Sequence, residues 1–343
     1  MKKRFLTAAI LTGLAATSMT AQAEIKTKWF GFAQITLNSL SQDKPDDGFV
    51  FGADRVRFGF KVKDDQFFAK LQADLNKTDS GANNGTLPEI IKDIVVGWKF
   101  SKAAKVSLGQ FKTPLGMDFN TSGKKLDITK RGMEKGLVLE RAAGAMISGR
   151  KIGGGFGYDV FYGNPAGRSK ADPAANVGSE TTAVVNVRYD MGKMMHMELA
   201  YGVAGASAAS AAEDYEVIDF GFKFKSGPST AKFEYIDGTS VSGVKGNDET
   251  VFLVHYGHMV SKTIEVMARY YDGTSSATGA ADLSLSNTYL GVNFYTGSNK
   301  TNGRIQLNYV LAGGDTAGSV NEYSGASKGY MDDAILTQYQ VSF

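Results

Sequence analysis

Apolar side chains recur at every second position along most of this chain, with polar or charged residues between them. Near the start, Trp29, Ala33, Ile35 and Leu37 share one parity and Lys28, Gln34, Thr36 and Asn38 the other. The next segment sets Val56, Phe58, Phe60 and Val62 against Arg55, Arg57, Lys61 and Lys63. Ala183, Val185, Val187 and Tyr189 oppose Asn186 and Arg188, and Ile264, Val266, Ala268 and Tyr270 oppose Glu265 and Arg269. Ile305, Leu307, Tyr309 and Leu311 likewise oppose Arg304, Gln306 and Asn308. A soluble domain of this size would show continuous apolar core segments or amphipathic helices, whereas a period of two belongs to strands with one apolar face.

Alternation and turn residues together predict sixteen strands, at about 28–40, 49–64, 66–77, 89–100, 105–113, 141–152, 155–164, 180–190, 194–205, 214–226, 229–237, 248–260, 263–273, 283–297, 301–312 and 331–343. The connections alternate between long and short. Long ones are 41–48, 78–88, 114–140, 165–179, 206–213, 238–247, 274–282 and 313–330, separated by tight links such as Asp64-Asp65, Gly153-Gly154, Met191-Gly192-Lys193, Gly227-Pro228, Ser261-Lys262 and Ser298-Asn299-Lys300. Pro45, Pro88, Pro165, Pro173 and Pro228 fall between strands and Pro114 at the end of the fifth, where no ladder donor is lost.

An even number of strands, with short turns on one rim and long loops on the other, is the plan of an up-and-down barrel across an outer membrane. In hydrocarbon every backbone N–H and C=O needs a partner within the protein, and a closed sheet provides one for each. The last residues fit this plan. Tyr339, Val341 and Phe343 alternate with Gln338, Gln340 and Ser342, and a final Phe is the habit of strands that close such barrels. The expected fold is therefore all-β, a 16-stranded antiparallel transmembrane β-barrel. A cationic residue at the lipid midplane costs roughly 2–4 kcal/mol, so the charged parity must face a polar, wet interior.

The beginning of the chain sets the compartment. Lys2, Lys3 and Arg4 precede an apolar run from Phe5 to Ala16 and an Ala21-Gln22-Ala23 cleavage pattern, so residues 1–23 read as a secretory signal peptide and 24–343 as the barrel domain. That run is too short to span a bilayer as a helix. The expected location is the outer membrane of a Gram-negative bacterium, reached through the periplasm, with lipid and lipopolysaccharide around the barrel. Trp29, Trp98, Tyr162, Tyr189, Tyr201, Tyr235, Tyr256, Tyr295 and Tyr339, mostly near strand ends, are expected to form its interfacial aromatic girdle.

Two strands resist this reading. Along the fifth, Val106 and Leu108 share parity with Gln110 and Lys112, which predicts a bulge near Gly109. The twelfth, from Val251 to Val260, is apolar on both faces. Lys105, Lys112 and His255 are thus left without an assigned face.

Charge sharpens the functional picture. The inward parity collects Lys28, Arg55, Arg57, Lys61, Lys63, Lys70, Lys99, Arg150, Arg188, Lys223, Lys225, Lys232, Arg269 and Arg304, against Asp74, Asp93, Asp159, Glu198, Asp219, Glu234 and Glu265. This lumenal excess is larger than the chain's formal charge of +3. A duct with low-dielectric walls focuses such an excess, so anion preference is expected. The sharpest cluster is Arg55, Arg57, Lys61 and Lys63 on one wall. The longest connection, 114–140, carries Lys124, Lys125, Lys130, Arg131 and Lys135 against Asp118, Asp127 and Glu134. A loop of that length is functional or disordered, and folded inward it would set the narrowest point of the channel; an external lid or trimer contact is the alternative. Arg141, Arg150 and Arg188 complete the set of pore-lining or anion-binding candidates.

The stretch Gly109-Gln110-Phe111-Lys112-Thr113-Pro114-Leu115-Gly116-Met117, followed by Thr121-Ser122 and Lys130-Arg131-Gly132-Met133, resembles a segment of the phosphate-selective porin O and P family. The resemblance implies a sixteen-stranded homotrimer that passes small anions through a constriction lined by cations. Family members known for phosphate display dense arginine and lysine arrays, whereas Asp118, Asp127 and Glu134 interrupt the loop here, so a general porin for small hydrophilic solutes stays open beside a phosphate channel.

Other function classes find less support. A barrel hydrolase needs a nucleophile with a positioned base. His196, His255 and His258 are the only histidines, and no serine stands in a recognisable motif. A receptor role would rest on the Gly/Ala/Ser-rich loops and be secondary to a pore. The chain has no cysteine, no dinucleotide or phosphate-loop fingerprint and no histidine pair at metal spacing, so no cofactor is expected. Nucleic-acid binding is not expected of basic groups that face a lumen.

Overall fold

The structure, a computed structural model, describes residues 25–39, 48–76, 90–164, 181–205, 213–315 and 329–343. The expected signal peptide and most of the long loops lie outside these residues.

All sixteen expected strands are present: β1 (Lys26–Ser39), β2 (Phe49–Lys63), β3 (Phe67–Asp74), β4 (Ile91–Lys99), β5 (Lys105–Lys112), β6 (Arg141–Ile152), β7 (Phe156–Gly163), β8 (Thr182–Met191), β9 (Met195–Ala204), β10 (Tyr215–Ser226), β11 (Ser229–Thr239), β12 (Asn247–Met259), β13 (Ile264–Ala277), β14 (Leu283–Tyr295), β15 (Gly303–Gly313) and β16 (Ala334–Ser342). Each pairs antiparallel with its sequence neighbours, and β1 pairs with β16 to close the barrel in the register Gln34↔Gln340 and Thr36↔Gln338. No helix among the described residues is long and apolar enough to cross a membrane.

The short-turn rim is held by side chains that accept backbone hydrogen bonds. Asp64 Oδ1 accepts from the amides of Gln66 and Phe67, Ser261 Oγ from those of Thr263 and Ile264, and Asn299 Oδ1 from those of Thr301 and Asn302. Such side chains fix a turn by replacing a backbone partner. Gly192 and Gly227 stand at φ 60° and 54° in two other tight turns, where a Cβ would be strained.

Parity sorts the faces as expected on most strands. Trp29, Phe58, Val185, Val187, Leu307, Tyr339 and Val341 are exposed on the outer surface, while Gln34, Asn186, Gln306, Gln338 and Gln340 are fully buried inside. An aromatic belt near the short-turn rim includes Trp29 against Phe58 and Phe60, Phe67 against Trp98, and Phe156 against Tyr189. Tyr295 does not belong to it. Its position on β14 shares parity with buried Asn293, so its hydroxyl turns inward and donates to Glu265.

The bulge expected at Gly109 is absent. Pairing runs unbroken from Lys99↔Lys105 to Ile94↔Gln110 on one side of β5 and from Lys105↔Ser148 to Lys112↔Arg141 on the other. The irregularity is conformational instead. Gly109 adopts φ 122°, a region closed to other residues, and Ser107, Gln110 and Phe111 are all buried around it. The register breaks lie elsewhere, between Gln34 and Ile35 against β2, between Gln72 and Ala73 against β4, and between Gly149 and Ile152 against β7.

Candidate functional site

The segment after β5 folds into the barrel and divides its interior. It contains two single-turn helices, α1 (Met117–Asn120) and α2 (Glu134–Leu137), and a 3-10 turn at Gly123–Lys125. Leu115, Phe119, Leu126, Ile128, Met133, Leu137 and Leu139 are buried to 2% exposure or less. All of these but Leu126 form one core with inward residues of the opposite wall, among them Val184, Val217, Ile236, Val251, Leu253, Tyr271, Leu285 and Val310. Burying each such side chain contributes roughly 1.5–3 kcal/mol, so the loop is a fixed part of the barrel. This core also explains β12: Val251 and Leu253 face the loop while Val254 faces outward.

The interior is therefore not uniformly polar and wet, as parity alone suggested. On β13–β16 many inward amides bind loop backbone. Asn308 Oδ1 accepts from the Thr129 amide at 2.9 Å, Asn293 Nδ2 donates to the Asp127 carbonyl at 3.1 Å, and Gln338 Nε2 donates to the Thr129 carbonyl at 3.0 Å. Gln340 and Gln34 reach the carbonyls of Lys124 and Gly123. The Arg304 guanidinium donates to the Leu126 carbonyl at 2.8 Å.

Charge is handled in the same way. Asp118 accepts from Lys232 Nζ at 2.8 Å and from Arg269 Nη1 at 2.9 Å, and Asp127 pairs with both cations. Burial opposes charge on Asp118, but Arg269 and Lys232 outweigh it and hold its carboxyl well below the usual range. At Glu134 the balance is reversed, because burial and the nearby Asp118 are only partly offset by Arg269 and Arg131. Both its oxygens are buried without a hydrogen-bond partner, and burial, then Asp118, push its carboxyl up to about 7.

The motif around Gly109 builds the base of this loop. Gln110 Nε2 donates to the Ile91 carbonyl at 3.0 Å beside the register break on β4. Phe111 meets Phe161 edge-on with ring centroids 5.7 Å apart. Lys112 Nζ donates to the carbonyls of Phe119 and Thr121 and lies 4.4 Å from the Phe119 ring centroid. Thr113 closes the base through its amide to the Glu140 carbonyl and its hydroxyl to the Leu139 carbonyl. Gly116, at φ 87°, makes the turn from which its amide reaches Asp219 Oδ2 at 3.0 Å.

Against the other wall the loop leaves an open cavity of about 620 Å³, lined by β1–β6 with Asn120, Ser122, Gly123 and Lys124 of the loop. Nine cationic side chains line it, Lys28, Arg57, Lys61, Lys63, Lys70, Lys105, Lys112, Lys124 and Arg141, with Asp93 as the one lining carboxylate. Asp93 pairs with Lys70 and Arg141, and Arg57 is held by Asp74 at 3.0 Å. Lys28, Lys61, Lys63, Lys105, Lys112 and Lys124 have no ion-pair partner among the described residues. Burial, then Lys125 and Lys28, lowers the pKa of Lys124, the direction expected where cations crowd one another.

Of the sequence candidates, Arg57, Lys61, Lys63, Lys124 and Arg141 line this cavity. Arg55 is buried beside it, donating to Gln34 Oε1 at 2.8 Å and pairing with Asp54. Arg131 is held inside the loop by the carbonyls of Phe119 and Thr121. Lys125 is exposed, Lys130 half-buried, and Lys135 pairs with Glu140 at 3.3 Å. Arg150 and Arg188 converge on Asp159 and are not part of the cavity lining. The structure adds Lys105 and Lys112, whose faces the conformation at Gly109 hid from a strict period of two, and Lys92, buried 3.8 Å from Asp74. Lys99 and Lys225 are exposed near the short-turn rim.

The histidines are spread over separate surroundings. His255 lies beneath the loop, His196 bridges Asp190 and Glu198, and His258 meets Ser229 Oγ at 2.9 Å on the outward parity of β12 without an ion-pair partner among the described residues. No group of metal-ligating side chains occurs among the described residues.

Solved structures share this architecture. An anion-selective porin from Comamonas acidovorans superposes with a TM-score of 0.69 at 13% identity, covering 93% of this chain and 100% of that one. OmpF of Salmonella typhi, in complex with daunomycin, gives 0.69 at 14% identity over 92% of this chain and 97% of its own. OmpT of Vibrio cholerae in a trimer form gives 0.65 at 14% identity over 93% and 99%. No curated protein matches the sequence. The model of the family described as phosphate-selective porin O and P matches residues 32–230, more than half of the chain. With a closed sixteen-stranded barrel, an inward-folded loop and an open cationic cavity already in place, that match shows that the chain belongs to the phosphate-selective porin O and P family, a porin channel of the Gram-negative outer membrane.

Proposed function

We propose that this porin passes small hydrophilic anions by passive diffusion, and that the cavity between the loop and β1–β6 sets the preference. The observation that carries this reading is the imbalance of the lining: nine cations against one carboxylate, six of the cations without an ion-pair partner among the described residues. In a duct with low-dielectric walls such an excess raises the local anion concentration by about 10-fold or more and repels cations. Short turns face the periplasm in barrels of this type. Lys28, Lys61, Lys63 and Lys105, at the short-turn ends of their strands, then form the periplasmic vestibule, while Arg57, Lys112 and Arg141 stand at the level of the loop.

The reading includes a leader at residues 1–23 that takes the chain through the periplasm, an outer face bathed in lipid and lipopolysaccharide, and assembly as a homotrimer. The trimer form of the Vibrio cholerae OmpT structure supports the last point. The reading is of a channel; the Ser229–His258 contact, on the outward face of the barrel, has no orienting acid among the described residues.

Purified protein inserted into a planar bilayer under a potassium chloride gradient tests it. Stepwise conductance with a reversal potential on the chloride side is expected. A cation-selective reversal potential would contradict the anion preference, and lipid hydrolysis without conductance would contradict the channel.

A further inference from the structure

The cationic cavity has a second character that charge alone does not explain. Phe30, Phe32, Phe68 and Phe111 line it together with the lysines. Two of these rings lie along the wall because the facing residues are glycines. Phe30 pairs with Gly59 and Phe68 with Gly97 across adjacent strands. A Cβ at Gly59 would come within 2.9 Å of Phe30 Cζ, and one at Gly97 would overlap the Phe68 ring. The glycines let the rings cover the backbone instead of projecting across the duct. Cations sit beside them: Lys61 Nζ is 5.5 Å and Lys70 Nζ 6.0 Å from the Phe30 centroid, and Lys105 Nζ is 5.4 Å from that of Phe68.

We propose that this cavity is a subsite for a monocyclic aromatic carboxylate, with its carboxylate among Lys28, Lys61 and Lys63 and its ring against Phe30 and Phe68. The inference rests on the anion-channel reading and narrows its substrate class. A volume of about 620 Å³ falls within the usual range for small-molecule sites, which combine an apolar lining with a few placed polar groups. Charge alone does not separate a carboxylate from inorganic phosphate, since the planar fork of arginine fits both and lysine meets either as a point charge. Both arginines of the cavity are already engaged, Arg57 by Asp74 and Arg141 by Asp93, so the cations without an ion-pair partner among the described residues are lysines, and it is the phenylalanine rings that distinguish the anions. An aromatic ring gains from offset stacking on the phenyl faces, whereas acetate or phosphate leaves them in water.

Single-channel recordings at low salt, with benzoate, acetate or inorganic phosphate added at equal ionic strength, test this subsite. Benzoate is expected to interrupt the current at about a tenfold lower concentration than acetate or phosphate. The double variant Phe30→Leu, Phe68→Leu should bring the benzoate-to-acetate ratio close to one, while Lys61→Gln should weaken both anions together. If the phenylalanine variant does not insert, comparing benzoate with cyclohexanecarboxylate in the unaltered channel decides: a preference of about threefold or more for benzoate supports the subsite, and equality overturns it. Equal effects of benzoate and acetate in a channel that is still anion-selective overturn the subsite and leave the channel reading intact. A cation-selective channel overturns both.

Discussion

The two halves of the barrel interior use the same residue types to opposite ends. On β10–β16, most inward cations and many inward amides are consumed by the loop: Lys232 and Arg269 by Asp118 and Asp127, Arg304 by the Leu126 carbonyl, Asn293, Gln306 and Gln338 by loop backbone. On β1–β6, lysines of the same inward parity face an open cavity. A lumenal cation is therefore available to an anion only where the loop does not reach it. The acids of the loop, which read as weakening an anion channel, face the far wall, Asp118 and Glu134 buried and Asp127 half-buried, and leave the charge of the near wall uncancelled.

The largest effect is expected from breaking the docked side. Asp118→Asn leaves Lys232 and Arg269 buried with one carboxylate partner fewer each, and removing one member of a buried ion pair costs about 3–5 kcal/mol. A lower unfolding temperature and a larger, noisier single-channel conductance are expected as the loop loosens. Unchanged conductance would mean that apolar packing alone holds the loop.

Glu134 gives a pH dependence of determinate sign. Its carboxyl is pushed up to about 7 in the folded barrel, above its unfolded value near 4.3. The folded state then binds more protons than the unfolded state between these values, so the contribution is fully present below about pH 4 and is lost as pH rises through 7. Loop-dependent current noise should grow from pH 6 to pH 8, and Glu134→Gln should reduce that growth. An equal rise in the variant would place the titrating group elsewhere.

Salt sharpens the comparison further. The screening length falls from about 10 Å at 0.1 M to about 3 Å at 1 M. Selectivity set by the open lysines should decline severalfold over that range, whereas the docked loop, whose ion pairs are buried, should keep its thermal stability. The smallest effect is expected at Arg150→Gln, because Arg188 still holds Asp159 and neither arginine lines the cavity. Its reversal potential should match that of the unaltered channel, and a large shift would move the selectivity site toward β6–β8.

Much of the fold was legible because lipid imposes a strict rule on each strand. Alternation located every strand to within a few residues, and the terminal Tyr339, Val341 and Phe343 do point outward. The rule fails where an inward residue meets protein instead of water. Val251, Leu253 and Leu285 face inward yet are apolar, and Tyr295 turns in to reach Glu265. The site was legible in part. Charge and parity placed Arg57, Lys61 and Lys63 on the inner wall, and charge alone singled out Lys124 and Arg141, all of which line the cavity, but Lys105 and Lys112 depended on one glycine with a positive φ. Whether a cation is free or paired depends on contacts such as Asp118 with Arg269, 151 residues apart in sequence. Sequence spacing carries no record of such a pair.

The most direct test of the central claim is the reversal potential under a low-salt potassium chloride gradient, measured for the unaltered channel and for the combined variant Lys28→Gln, Lys61→Gln, Lys63→Gln. The account predicts an anion-selective value that falls severalfold, in permeability ratio, toward neutrality in the variant. An unchanged reversal potential would contradict it, showing that the open wall does not set which ions pass.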